Sequence, residues 1–230
     1  MINDLTKVGI IGGSGFTGEE LLRFLSNHPK TEVIAISSRA LLGQSTNQIV
    51  EGSDLIFIEP DDEIFYDCEV VFFATPHGIS MNLVNLFINK NIKVIDLSAD
   101  FRIKDIGIWE EWYNIPHSQE ELLSESVYGL TELNSSKIES ARLVAVPGCY
   151  PTASLLAILP LLSSKFKIES IIIDAKSGIT GAGRQKVENG LSEEVKENFK
   201  AYGVDGHRHL PEIKEISELV SGYPINLNFI

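Results

Sequence analysis

The sequence predicts an α/β protein in which a doubly wound parallel sheet fills the N-terminal part and a second, smaller α+β domain follows. Three observations predict it. Short apolar runs alternate with helical patterns from Lys7 to Leu97, the order expected of βαβ units. The first run, Lys7-Val8-Gly9-Ile10-Ile11, stops at a glycine-rich turn that opens a helix. A later run, Leu143-Val144-Ala145-Val146, stops at Pro147-Gly148-Cys149 and opens another.

Bulk properties narrow the function before any motif does. A chain of 230 residues can bury a good core as one large domain or two small ones. Its net charge of −13 argues against nonspecific binding to nucleic acid or to an anionic membrane, since both need a basic surface. No apolar run is long enough to span a bilayer. Met1 to Lys7 lacks a basic region followed by a signal-type apolar core, so a cytoplasmic location is expected. The two cysteines, Cys68 and Cys149, form no disulfide or zinc framework.

In order along the chain, the first strand runs into Gly12-Gly13-Ser14-Gly15-Phe16-Thr17-Gly18, and Leu21, Leu22, Phe24 and Leu25 then mark one buried helix face. Strand, glycine turn and helix together give Gly13-x-Gly15-x-x-Gly18 its physical meaning. One glycine permits the turn, one admits a pyrophosphate and one lets helix and strand approach closely. The pyrophosphate then rests on the helix N-terminus. The second run, Glu32 to Ile36, ends in Ser37-Ser38-Arg39 rather than in the carboxylate that would hold the ribose 2′-hydroxyl of NAD. A missing carboxylate with a cation beside it suits a 2′-phosphate, hence NADP(H); the alternative is that Arg39 is a solvated loop residue.

Gly43 to Val50 makes a poor helix, and Leu55 to Ile58 is a plausible third strand. Glu69 to Ala74 is a buried strand ending in Thr75-Pro76-His77-Gly78, Met81 to Ile88 a helix, and Lys93 to Leu97 the next strand. Ligands of such sheets bind beyond the carboxyl ends of the strands, which gathers Thr75 to Gly78, Ser98 to Arg102 and Cys149 at one mouth. Between Ile103 and Ala141 the pattern loosens. Trp109, Trp112 and Tyr113 there indicate a packed excursion over the sheet edge, with short helices at Gln119 to Ser124 and Ser135 to Ala141.

Cys149 stands at the start of an apolar helix with Pro151 in its first turn, where a missing N–H costs little. Free N–H groups and the helix dipole favour a thiolate there; the alternative is a small apolar residue filling a gap. Ile168 to Ala175 has a period-two character that suggests a sheet with one wetter face, unlike the parallel sheet before it. Lys176 to Arg184, with its glycines, hydroxyls and cations, suits an anion-gripping loop or else a flexible surface loop. His207-Arg208-His209 precedes an amphipathic helix to about Ser221. The two histidines lack further spaced ligands for a metal, so no metal site is expected. The stretch supplies a general acid–base His for Cys149 beside a substrate-binding Arg208, or all three are ordinary surface residues.

Taken together, Gly12 to Leu21, Ser37-Ser38-Arg39, Ala74 to Gly78, Asp96 to Arg102, Tyr128-Gly129-Leu130, Pro147 to Thr152, Lys176 to Arg184 and Gly206 to Ile213 resemble, in order, the motifs of the N-acetyl-gamma-glutamyl-phosphate reductase family. The resemblance implies a Rossmann-type domain over residues 1–149 and a semialdehyde-dehydrogenase-type catalytic domain over 150–230. It also implies NADPH-dependent reduction of N-acetyl-L-glutamyl 5-phosphate through a cysteine thioester, and a homo-oligomer. Cys149 is then the nucleophile, and His209 or His207 the acid–base group. The cofactor contacts are Gly12, Gly13, Ser14, Gly15, Phe16, Thr17, Gly18, Ser38, Arg39, Thr75, Pro76, Ser177 and Gly178. The substrate contacts are Ser98, Arg102, Arg184 and Arg208. Thr131 and Val146 depart from the family's usual Pro and Asn. Family members continue past a strand such as Ile225 to Ile230, so the second domain is expected to be incomplete. Two rival readings are a non-catalytic NADP-binding fragment and a reductase of a related aminoadipyl, aspartyl or carrier-bound phosphate.

Overall fold

A computed structural model of the chain describes residues 5–164, 166–191, 193, 195, 198 and 200–230. The terminal Met1 to Asp4, read above for targeting signals, lie outside the described residues. The chain divides into two units: residues 1–101 with 117–146, and residues 102–116 with 147–230.

The first unit is a six-stranded sheet in the order β2-β1-β3-β4-β6-β5, every neighbouring pair parallel. Its strands are β1 (Thr6–Ile11), β2 (Thr31–Ser37), β3 (Val70–Phe73), β4 (Lys93–Asp96), β5 (Val127–Tyr128) and β6 (Leu143–Ala145). The helices are α1 (Phe16–Ser26), α2 (Ser80–Ile88), and, with α3 reserved for the second unit, α4 (Glu120–Glu125) and α5 (Thr131–Ser140). The chain steps outward from β1 to β2 and then returns to the other side of β1 as β3. That reversal of strand order opens the crevice in which such sheets bind ligands, at the carboxyl ends of β1 and β3. The strands are apolar because helices cover both faces of a parallel sheet; Val8, Ile10, Ile11, Val71, Phe73 and Val94 are all buried.

Two expectations for this unit need correction, and one strand was not foreseen. Leu55 to Ile58 is not a strand. It alternates partners, with Thr46 donating to Leu55 and Ile58 to Ile36, and forms only single bridges at Ile56 and Ile58. Its apolarity serves Phe57, which inserts into the cluster of Ile10, Leu22 and Ile36. Phe24 is 73% exposed and so lies off the buried face of α1; two positions from Leu22, it stands about 200° round the helix. The edge strand β5 was not anticipated, being two residues long and without a pattern of its own.

The second unit contains α3 (Ile106–Tyr113), α6 (Cys149–Leu162), β7 (Ser170–Ile173), α7 (His209–Ser221) and β8 (Asn226–Phe229). β7 alternates between exposed and half-buried residues as its sequence suggests, but it pairs with β8 in parallel. The excursion carrying Trp109 groups with this unit because it is tied to the start of α7 at several points. Both Glu215 carboxylate oxygens accept from the Lys104 N–H, the Arg208 guanidinium lies 5.5 Å from the Tyr113 ring centre, and Trp112 abuts Gly206. Trp109, fully buried and stacked on Tyr113, anchors it. No helix among the described residues is long and apolar enough to cross a membrane.

Candidate active site

In the first unit, the turn after β1 is shaped by contacts that exclude side chains. Gly12 has φ +90°, and a Cβ there would lie 2.6 Å from the Ala74 carbonyl oxygen. At Gly18 it would lie 2.3 Å from the Gly12 oxygen, which is how closely α1 crosses the turn. At Gly15, the N-cap of α1, a Cβ would meet nothing nearer than 3.9 Å, so this face of the turn is open. The N–H groups of Gly12 and Gly13 both donate to the Ser37 carbonyl at the end of β2. The Ser38 hydroxyl donates to that of Ser14 at 2.7 Å, which joins the two loops, and Arg39 beside it is exposed.

The loops after β3 and β4 are locked to each other. The buried Asp100 carboxylate accepts the Gly78 N–H at 2.8 Å and the Met81 N–H at 3.1 Å, capping α2. Burial holds the Asp100 pKa above the usual carboxylate range, against the pull of these donors. His77 Nδ1 accepts the Ala99 N–H. This leaves Thr75, whose buried Oγ1 has no partner and whose Cγ2 would contact a Cβ on Gly12. A dinucleotide fits these residues: an open glycine turn at a helix N-terminus, an unspent hydroxyl beside it, and an exposed guanidinium in the loop after β2. Pro76 is exposed on the same loop. Ser98 is 1% exposed, its hydroxyl donating to Asp96 and accepting from the Asp100 N–H.

The second unit gathers the reactive candidates. Cys149 is the first residue of α6 and is exposed, with Gly148 as N-cap. Cys68, by contrast, is buried in the first unit, and burial with the nearby Asp67 charge pushes its thiol up to about 12, which leaves it inert. The turn before Cys149 is tightly enclosed. A Cβ on Gly148 would lie 2.6 Å from His209 Nε2 and 2.9 Å from Arg102 Nη1. Arg102 and Glu212, both buried, face each other at 3.5 Å.

The two histidines differ in what they face. His207 Nδ1 accepts the His209 backbone N–H at 3.1 Å, and its ring sits among Tyr150, Tyr202 and Phe229. Burial and the adjacent Arg208 charge lower its pKa, so the ring is held neutral. His209, in contact with Tyr150 by its ring edge, presents Nε2 to the Cys149 turn. The Tyr150 hydroxyl is hydrogen-bonded to that of Tyr202.

Of the remaining candidates, Ser177 and Gly178 are exposed in the segment after β7, the Ser177 hydroxyl donating to the Gly178 carbonyl. Arg184 faces Glu188 at 3.4 Å, and Arg208 is exposed above the Tyr113 ring. Sequence reasoning missed Tyr202 and Glu212 as parts of the site. Glu212 sits within a quoted motif, but as a single carboxylate opening a helix it reads as an ordinary complement to the helix dipole. Among the described residues no group of three or more side chains is arranged to hold a metal ion.

A parallel sheet with an open glycine turn, followed by a cysteine that opens a helix with a histidine against its turn, fits an oxidoreductase of the semialdehyde dehydrogenase class. Residues 7–141 match the model of the semialdehyde dehydrogenase NAD-binding domain, and residues 149–230 that of the semialdehyde dehydrogenase dimerisation domain. Solved structures agree on the fold. Aspartate semialdehyde dehydrogenase II of Vibrio cholerae superposes with a TM-score of 0.71 at 14% identity, over 98% of this chain and 69% of that one. The Candida albicans aspartate semialdehyde dehydrogenase with NADP gives 0.61 at 15% identity, over 98% and 67%. Closer in sequence are the N-acetyl-gamma-glutamyl-phosphate reductases of Nitrosospira multiformis, 47% identical, and Nitrosococcus oceani, 48% identical, each over 98% of this chain and 68% of the relative. The chain belongs to the N-acetyl-gamma-glutamyl-phosphate reductase family.

Proposed function

We propose that this protein catalyses the NADPH-dependent reduction of N-acetyl-L-glutamyl 5-phosphate to N-acetyl-L-glutamate 5-semialdehyde and phosphate, a step of arginine biosynthesis, with Cys149 as nucleophile. The observation that carries this reading is the exposed cysteine at the N-terminus of α6 with His209 Nε2 against the preceding residue. His209 takes the Sγ proton at Nε2, and the thiolate attacks the acyl carbonyl. A carbon–sulfur bond forms, the carbon–oxygen bond to phosphate breaks, and a thioester remains, so that one difficult displacement becomes two easier steps. The glycine turn, Ser14, Ser38, Arg39 and Thr75 would hold NADPH, which would supply the hydride for reduction of the thioester carbonyl. Collapse then releases aldehyde and regenerates the Cys149 thiolate. His207, neutral and bonded to the His209 backbone, orients the neighbouring ring. Arg102 serves the substrate's anionic groups from beside Gly148, with Arg184 and Arg208 as further guanidinium candidates. Ser98 is a further candidate substrate contact, although its hydroxyl is engaged by Asp96 and the Asp100 N–H, and Ser177 and Gly178 complete the nucleotide contacts.

The match to a dimerisation domain supports a homo-oligomer. The test compares phosphate-dependent NADP⁺ reduction with N-acetylglutamate, aminoadipate and aspartate semialdehydes. The reading predicts turnover with the first at least tenfold above the others in kcat/KM. Equal or greater turnover with another semialdehyde contradicts the substrate assignment.

A further inference from the structure

We infer that Glu212 is the positioning residue that holds the Cys149 turn against His209. The inference rests on the proposed roles of Cys149 and His209. Glu212 is 1% exposed and lies in the first turn of α7, three residues after His209, so the two side chains share a helix face. Its Oε1 accepts the Gly148 N–H at 2.9 Å, and its Oε2 faces Arg102 Nη1 at 3.5 Å. Gly148 is the N-cap of α6, so its backbone position sets where the next residue, Cys149, starts the helix. One carboxylate therefore ties the nucleophile's turn to the helix that carries the acid–base histidine.

The tie is direct and without slack. A charged acceptor on a backbone N–H is a strong, short type of hydrogen bond. The Gly148 Cα is closely flanked by His209 and Arg102, so that a methyl carbon there would make those side chains shift. If the acceptor is removed, a buried N–H is left unpaired, and the turn relaxes toward solvent with a cost typical of orphaned donors. The 2.9 Å bond to Gly148 is the closer of the two contacts. The positioning is therefore assigned to the acceptor oxygen on Gly148, with the charge strengthening that bond.

Glu212→Gln and Glu212→Ala separate these terms, because Gln keeps an acceptor of the same reach and Ala does not. The readouts are the rate of Cys149 alkylation by iodoacetamide and the kcat and KM of NADP⁺ reduction. Trp109 and Trp112 both belong to the second unit, so tryptophan emission reports whether that unit is folded. The expected result is that Glu212→Gln stays within about fivefold of the unsubstituted protein. Glu212→Ala should lose at least twentyfold in alkylation rate and kcat, with native emission and an unchanged KM for NADP⁺. Native rates in Glu212→Ala overturn the inference, as does an equal loss in Glu212→Gln. Should the emission of Glu212→Ala shift, Glu212→Asp decides: its shorter arm must slow alkylation while emission stays native, and a native rate overturns the inference. An unsubstituted Cys149 no faster than a denatured thiol would instead contradict the proposed function on which the inference rests.

Discussion

At Cys149 and its neighbours, function follows from which atoms each side chain has already committed. The sequence left His207 and His209 interchangeable, since they flank one arginine in a polar run. The fold distinguishes them: His207 spends Nδ1 on the His209 backbone N–H, whereas His209 turns Nε2 toward Gly148. His209→Asn is expected to lower kcat by roughly 10²- to 10⁴-fold, the usual worth of a general acid–base. His207→Asn keeps an acceptor for the same N–H and should cost far less. Steady-state kinetics of the two variants check this, and equal losses would remove the distinction. The same reasoning separates the cysteines, one exposed on a helix N-terminus and one buried with a raised pKa. Sequence alone favoured Cys149 through its strand–Gly–Cys–helix setting. It was silent on Glu212, whose partner Gly148 is distant in the chain.

Among the elements, strands and helices that cover a continuous hydrophobic pattern were legible: β1, β2, β3, β4 and β6 all lie on apolar runs read from the sequence. Two failures had one cause. Leu55 to Ile58 is apolar because Phe57 fills a core cluster, and Phe24 is apolar yet exposed, so in both places side-chain character misreports backbone pairing or facing. Segment 102–116, read as a packed excursion, groups with the second unit. The glycine turn is the element whose physics is most exacting. Gly18→Ala places a methyl carbon 2.3 Å from the Gly12 oxygen and 2.7 Å from the Gly13 Cα, both backbone atoms. Overpacking of this kind costs about 1–3 kcal/mol, and the turn must open to relieve it. The expected outcome is at least a tenfold weaker NADPH affinity by fluorescence titration, with Cys149 alkylation unaltered. Native affinity would mean that the close crossing of α1 is not needed for nucleotide binding.

For the whole molecule, one unit supplies a dinucleotide cradle and the other a reactive cysteine with its histidine and arginine. Family membership joins the two halves into a single oxidoreductase, and the net charge of −13 agrees with a small-molecule substrate rather than nucleic acid. Of the guanidinium groups proposed above to meet an anionic substrate, Arg102 is the buried one. Loop functions between β7 and α7 were the least legible part of the site. Ser177, Gly178 and Arg184 carry anion-binding chemistry by type, but their spacing names no unique partner. The central claim is that turnover passes through Cys149. The direct measurement is phosphate-dependent NADP⁺ reduction with N-acetylglutamate semialdehyde by the native chain and by Cys149→Ser, with NADPH binding titrated in both. The account predicts turnover in the native chain, none in Cys149→Ser, and equal NADPH affinity. Turnover retained by Cys149→Ser, or absent from a native chain that binds NADPH, would contradict it.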